Sequence, residues 1–539
     1  MVFLGRPGNK IIIFKPMKIA FFLILTGCSF LSQAQKNFDV LHYNYNLELS
    51  DKSDTIKGIA TIRIKVIEPI SNFDLDLLGE KNGKGMSVQS VVQKSNNSDK
   101  INFTLSNDKL SIVFTNTLKK GEERELTIYY SGIPSDGLII AKNKYGDRTF
   151  FSDNWPNRAH NWIPCYDLPN DKASFEFTVT APSGYKVISN GEKVEEKNLH
   201  NGKTQTHWKE DTPLPTKVMV IGVAKFAVKT FDDSPSNIPV SAWVYQQDSA
   251  KGFHDYAPAP EILKFFSSYI APYPYEKLAN VQSKTIFGGM ENASAIFYFE
   301  GSVTGKGGVE DLLAHEIAHQ WFGDMASEKS FTHLWLSEGF ATYFTDIYWQ
   351  HKFGNEAFQK RLQKERSEVI EFVKNNDHPV VDSLSSYMDL LNANSYQKGA
   401  WVLHMLRNEV GDSVFHKIIQ TYYQQYKGSN ADTRDFETVA EKVSGKNLKW
   451  FFDQWLYRPG IPQLHIERNI DNDNVKLRIT QQGVKFDFPL EVLFVRADGS
   501  VLKQTIPVND QMIEFKIKVP DVKSVIIDPD TKLLYAEIK

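Results

Sequence analysis

Cysteine is nearly absent: the chain has two in 539 residues, Cys28 and Cys165. Removal of an N-terminal segment containing Cys28 leaves Cys165 alone, so no intrachain disulfide can form. A lone thiol of this kind is expected in packed core rather than as a nucleophile. Excess charge is missing too, since 62 basic residues face 65 acidic ones for a net charge of −3. With no long basic run, nucleic-acid binding and polybasic membrane attachment have no electrostatic support. Past the N-terminus no apolar run is long enough to span a bilayer, and there is no fixed-period repeat or low-complexity tract. What remains is 41% hydrophobic and 24% charged, an ordinary globular composition. The length exceeds what one core can organise and suggests about three domains.

Met17-Lys18 precedes the apolar run Ile19–Leu25, and Ser32-Gln33-Ala34 supplies a small-x-small cleavage pattern. This reads as a secretory signal peptide at 1–34, with 1–16 as an upstream extension and Met17 as the start. Leu25-Thr26-Gly27-Cys28 also resembles a lipoprotein box, which would place a lipid anchor on Cys28. Phe30 and Leu31 continue the apolar region, which favours cleavage after Ala34. Either route predicts an exported protein, periplasmic or secreted, or else membrane-anchored as a lipoprotein. Oligomeric state is not legible.

From Asn37 to about Phe231 apolar and polar residues alternate, as in Tyr43–Leu49, Ile59–Val66, Leu110–Phe114 and Glu125–Tyr130. This period of two predicts a β-sandwich-like N-terminal domain over 35–233. A Ser/Pro/Asp-rich stretch, Asp232–Pro239, marks a linker. Residues 234–458 then show short strands near Leu278–Ile286 and Ala295–Phe299, followed by helical patterns at Glu356–Lys374, Ala400–Val410, Ser413–Tyr426 and Phe436–Val443. That order gives a mainly helical α+β catalytic domain. The breaker cluster Pro459-Gly460-Ile461-Pro462 opens a small C-terminal β-sandwich over 459–539. The fold class is thus multidomain α+β.

Chemistry concentrates at His315-Glu316-Ile317-Ala318-His319. Residues four apart share one helix face, so both imidazoles can aim at one point with Glu316 beside them. Zinc accepts imidazole and carboxylate ligands and keeps a fourth position for water when catalytic. Glu316 is placed to take a proton from that water. Glu338, separated from His319 by eighteen residues, sits in the greasy segment Leu334–Phe344, where an unpaired carboxylate would be costly to bury. Ligation of a divalent cation by His315, His319 and Glu338 accounts for it. The segment Gly288-Gly289-Met290-Glu291-Asn292 adds two glycines that let backbone approach a ligand and a carboxylate able to hold a cation.

Together these motifs resemble the aminopeptidase N family of gluzincin zinc metallopeptidases, in a short form lacking the C-terminal helical domain. The family's G-x-M-E-N and HExxH-x18-E patterns are met residue for residue. The likeness extends to His319-Gln320-Trp321-Phe322-Gly323, Ser337-Glu338-Gly339-Phe340-Ala341, Tyr396-Gln397-Lys398-Gly399-Ala400, and Trp455-Leu456 with Pro459-Gly460. The resemblance implies a thermolysin-like catalytic domain, one Zn2+ per chain, and removal of the N-terminal residue from peptides with a free amine. Glu316 would be the general base and Tyr396 the oxyanion stabiliser. Glu291 would pair with the α-ammonium, Gly288 and Gly289 would offer backbone, and Met290 and Asn292 would join the substrate site.

Two departures stand out. Where many relatives carry a Q-x-[QE] pattern near the amine, this chain has Asp153-Asn154-Trp155, so Asp153 is the candidate substitute. Asp324 stands where many relatives have Asn, and could orient a zinc histidine or be a surface acid. Two other readings share the motifs: an epoxide-hydrolysing relative of the leukotriene hydrolase type, and an inactive binding scaffold. The export signal weighs against the first. Retention of every ligand, Glu316 and Tyr396 weighs against the second.

Overall fold

A computed structural model describes residues 37–93, 100–233 and 238–538. The expected signal peptide and lipid-anchor cysteine fall outside these residues. Strand Phe38–Glu48 alternates buried and exposed positions, sending Val40, Tyr43, Tyr45 and Leu47 inward. It pairs antiparallel with Ile56–Val66 and parallel with Ala173–Pro182, at the centre of a seven-stranded sheet. One face of that sheet stays polar while the other closes on a core that includes Ile62, Leu126, Ile128, Trp162 and Phe177. Each fully buried side chain of this size contributes about 1.5–3 kcal/mol. Cys165 lies in this core as a free, buried thiol, as expected.

The second half begins earlier than the linker suggested. Strand Phe226–Phe231 already pairs with Val240–Tyr245 across the Asp232–Pro239 stretch. These two open a five-stranded sheet that continues through Leu278–Ser283 and Ala295–Phe299 to the short strand Gly289–Met290. Helices α1 (Ser249–Asp255) and α2 (Ala259–Tyr269) follow the second strand. After the sheet come α3 (Glu310–His319), α4 (Trp335–Phe353), α5 (Asn355–Val373), α6 (Gly399–Val410), α7 (Asp412–Tyr426), α8 (Thr433–Ser444) and α9 (Lys449–Leu456). The first four turns of α4 are buried on every side, the mark of a central helix. Phe322, Phe340, Phe344, Tyr422 and Phe436 interlock around it with ring centroids 4.8–6.3 Å apart.

The expected C-terminal sandwich has a four-stranded and a three-stranded sheet. Its apolar residues do not form a separate core: Leu464, Leu477 and Phe488 belong to the same cluster as Trp455 and Leu456 of α9. Two polar links reinforce the junction. Gln454 of α9 exchanges hydrogen bonds with the backbone of Asp487 at 2.7 and 2.9 Å, and His404 of α6 donates to the Thr531 carbonyl at 3.0 Å.

Candidate active site

The helical spacing places His315 and His319 one turn apart on α3, with their Nε2 atoms 3.2 Å apart. Glu338, in the first turn of α4, brings Oε2 within 3.3 Å of both. Four ligands about 2.0–2.1 Å from a tetrahedral zinc stand about 3.3 Å from one another. The three ligand atoms therefore already occupy three corners of a zinc tetrahedron. Two imidazoles and a carboxylate are also the donor set of catalytic zinc sites, so the residues fit the ion.

Electrostatics support the same assignment. Burial alone would raise the Glu338 carboxyl, but His319 and His315 hold it well below the usual carboxylate range. Burial lowers His319, yet Glu338, with Glu291 and Glu316 behind it, pushes it up to about 10. The cluster thus demands a positive charge at its centre, and metal affinity must fall as protons compete for the nitrogens. His319 Nδ1 lies 3.1 Å from the Phe322 carbonyl and 3.1 Å from Ser337 Oγ. A donor bond to that carbonyl keeps Nε2 free for metal. Asp324 does not orient either histidine, nor is it a surface acid. It is fully buried and accepts from the Gln320 amide at 3.0 Å.

Glu316 is 4% exposed. Burial pushes its carboxyl well above the usual range; His319 opposes this while Glu291 and Glu338 add to it. Its side chain rests against Gly289, where an added Cβ would stand 2.2 Å from Oε1. The second glycine of the motif therefore leaves the space that the Glu316 side chain occupies. Nothing lies within 4 Å of the corresponding position at Gly288, which stays open to the cleft. Glu291 shares a carboxylate–imidazole cluster with Glu316 and His319.

Tyr396 lies on a single π-turn, Asn394–Lys398, that leads into α6. Such turns mark functional positions more often than chance. Its ring stacks 5.9 Å from that of His315. Burial and the carboxylates of Glu338 and Glu291 raise its hydroxyl well above 10, so it remains a protonated donor. The turn can approach α4 because two glycines meet there: a Cβ on Gly339 would sit 2.9 Å from the Gly399 backbone, and one on Gly399 would sit 3.0 Å from Gly339 Cα. The Ser-Glu-Gly and Tyr-Gln-Lys-Gly motifs are thus two sides of one contact.

These groups line a cleft of about 1210 Å³. Gly288, Gly289, Met290, Glu291, His315, Glu316, Glu338 and Tyr396 all contribute to its wall. Two expected substrate residues do not. Asp153 is fully buried and spent on structure, paired with Arg158 at 2.7 Å and accepting from Thr285 Oγ1 and the Ile286 amide at 3.0 and 2.9 Å. It braces the loop that enters the Gly288–Glu291 segment. Asn292 is also fully buried and outside the cleft wall. Trp155, passed over in favour of Asp153 on sequence alone, does line the cleft, edge-on to Phe287 at 5.9 Å. The far wall is α5, with Arg361, Lys364, Glu365 and Glu368. No sequence motif marks that wall; a polar stripe along α5 was its only trace.

The family model of the peptidase M1 N-terminal domain matches residues 40–218, and that of the peptidase family M1 domain matches 255–455. A glutamyl aminopeptidase of Sus scrofa is 29% identical over 340 residues, covering 59% of this chain and 35% of the relative. Probable aminopeptidase 1 of Sulfurisphaera tokodaii is 26% identical over 454 residues, covering 80% and 54%. The chain therefore spans about a third to a half of the length of these curated relatives. Among solved structures, an M1 zinc metallopeptidase of Deinococcus radiodurans with bound Tyr-Ser-Ala superimposes with a TM-score of 0.69. The two are 22% identical, and the match covers 79% of this chain and 96% of that one, a likeness of fold.

Proposed function

The chain belongs to peptidase family M1, and on that premise we propose that it is a zinc-dependent aminopeptidase that removes the N-terminal residue from peptides. One observation carries the reading: the buried Glu291 carboxylate lines the same cleft as the His315–His319–Glu338 cluster, beside Glu316. Glu291, Glu316 and His319 bring one ligand atom each within 4.8 Å of one another, so an ammonium held by Glu291 would stand next to the metal cluster, beside the first peptide bond. Zinc bound at the cluster would polarise the scissile carbonyl and acidify water. Glu316, kept basic and shielded, takes the water proton and returns it to the leaving amine. The Tyr396 hydroxyl donates to the oxygen that gains charge. Glu291 holds the α-ammonium, and Gly288 leaves room for the peptide backbone.

Trp155, Phe287 and Met290 line the cleft with Glu291, whereas the cations among its lining residues, Arg361 and Lys364, lie on α5. We therefore assign apolar N-terminal residues as preferred over acidic ones. Export, to the periplasm or outside the cell, is part of the proposal and rests on the leader pattern at 17–34. Hydrolysis of a panel of aminoacyl-arylamides, with Glu316→Gln as the control, tests the activity. Zinc-loaded protein inert on every unblocked substrate would defeat it. Mass spectrometry of the mature N-terminus tests export: a chain starting at Gln35 supports cleavage after Ala34, and a diacylated Cys28 supports anchoring.

A further inference from the structure

Gln320 follows the second histidine at the end of α3 and is fully buried. Its amide makes four hydrogen bonds. Nε2 donates to the Glu291 carbonyl at 2.6 Å and to Asp324 Oδ2 at 3.0 Å. Oε1 accepts from the Ser294 amide at 2.8 Å and shares the single Tyr273 hydroxyl proton, at 3.2 Å, with the Lys277 carbonyl at 3.0 Å. Two donors and two acceptors exhaust what a carboxamide can offer. The opposite flip would turn NH2 against an N–H and C=O against two acceptors, so the partners decide the orientation.

The two backbone contacts fall three residues apart on the segment leaving the Gly289–Met290 strand. A grip at two points fixes both the position and the rotation of that segment relative to α3. The N-terminal half holds the segment from elsewhere: Asn190 Nδ2 donates to the Ala293 carbonyl at 2.6 Å and the Gly191 amide to Ser294 Oγ at 2.9 Å. Ser294 itself has φ +60, a left-handed conformation that serine adopts only when its surroundings impose it. The segment is thus over-determined, and Gln320 is the grip that comes from the helix carrying His315 and His319.

On the reading in which Glu291 receives the free ammonium, we infer that Gln320 is a positioning residue that sets the distance from the amine site to the metal cluster. It thereby confines cleavage to the first peptide bond. The geometry is unforgiving. An α-nitrogen lies about 2.5 Å from its own carbonyl carbon, and the next residue is about 3.8 Å further along the chain. Drift of Glu291 by about 1 Å relative to α3 uncouples amine binding from carbonyl placement. Gln320 touches neither substrate nor metal; it acts through Glu291.

The test compares wild type with Gln320→Glu, which keeps the shape and loses both donors, and Gln320→Met, which keeps the length and loses every hydrogen bond. Zinc content is measured by elemental analysis. kcat and KM are measured on an aminoacyl-arylamide and on its N-acetylated form. A hexapeptide digest read by mass spectrometry reports which bond is cut. The expected result is one zinc per chain, KM for the free-amine substrate raised about tenfold with a smaller change in kcat, and the preference for free over acetylated ends reduced about tenfold. A preference unchanged in zinc-loaded variants overturns the inference. So does loss of zinc with the preference intact, which would make Gln320 a support for the metal helix alone. If Gln320→Met does not fold, the near-isosteric Gln320→Glu supplies the measurement. Wild-type protein that shows no preference for free ends would defeat the role of Glu291 itself, whatever the variants do.

Discussion

Replacing Gly289 by alanine separates catalysis from both metal binding and stability. The new Cβ would sit 2.2 Å from Glu316 Oε1, 2.4 Å from Cδ and 2.7 Å from Cγ. Carbon atoms rest about 3.5–4.0 Å apart, so the glutamate must retreat by about 1 Å. The backbone at Gly289 is not left-handed, so alanine brings no conformational penalty of its own. Most of the clash falls on the free end of a side chain, and overpacking of this kind costs about 1–3 kcal/mol. Catalysis tolerates far less, since a shift of about 1 Å in a reacting group costs about a hundredfold in rate. None of the clashing atoms belongs to His315, His319 or Glu338. Gly289→Ala is therefore expected to bind one zinc, to stay folded with a loss of at most about 1–3 kcal/mol, and to lose about a hundredfold in kcat on an aminoacyl-arylamide. Full activity in a zinc-loaded variant would refute Glu316 as the base. Loss of zinc would refute the independence of the metal cluster from this contact.

Tyr396→Phe removes a single donor, and kcat should fall about 10²–10³-fold with KM and zinc content little changed; a rise in KM alone would point to substrate packing instead. Gly399→Ala forces backbone against backbone at Gly339 and should destabilise by about 1–3 kcal/mol or more, seen as a lower unfolding midpoint together with impaired turnover. A variant that melts like wild type would show that the two helices can separate freely. His404 gives the pH prediction. Burial, only partly offset by its bond to Thr531, lowers its pKa from 6.5 to about 3. The folded state then refuses a proton that the unfolded chain accepts, so this contribution is complete above about pH 6.5 and is lost as pH falls towards about 3. His404→Gln should flatten the dependence of the unfolding midpoint on pH across that window. An unchanged slope would assign the acid sensitivity to other groups.

The candidate metal cluster was legible because its chemistry is local. His315 and His319 are spaced by the helix repeat, and Glu338 lies one short connection away, so their convergence needs no knowledge of distant packing. Strand and helix periods likewise announced both β regions and the helices between them. The assignments that failed depended on long-range contacts. Asp153 and Asp324 are carboxylates whose partners, Arg158 and Thr285 for one and Gln320 for the other, spend them on structure rather than on substrate or metal. Residue type alone cannot distinguish a carboxylate facing the cleft from one buried against a loop. The C-terminal β region was legible as strands but not as part of the catalytic core, because a shared core depends on which apolar faces meet.

By itself, then, the sequence determined the donor set, its helical spacing and the presence of the Glu291 carboxylate proposed to bind the amine. Only the tertiary structure decided how far apart those groups stand. Gly289 leaves room for Glu316, the contact of Gly339 with Gly399 brings Tyr396 beside the metal cluster, and Gln320 ties Glu291 to α3. The physical reason is range: ligand identity is carried by single side chains, whereas the spacing between helices and loops is set by atoms that packing brings together from remote parts of the chain.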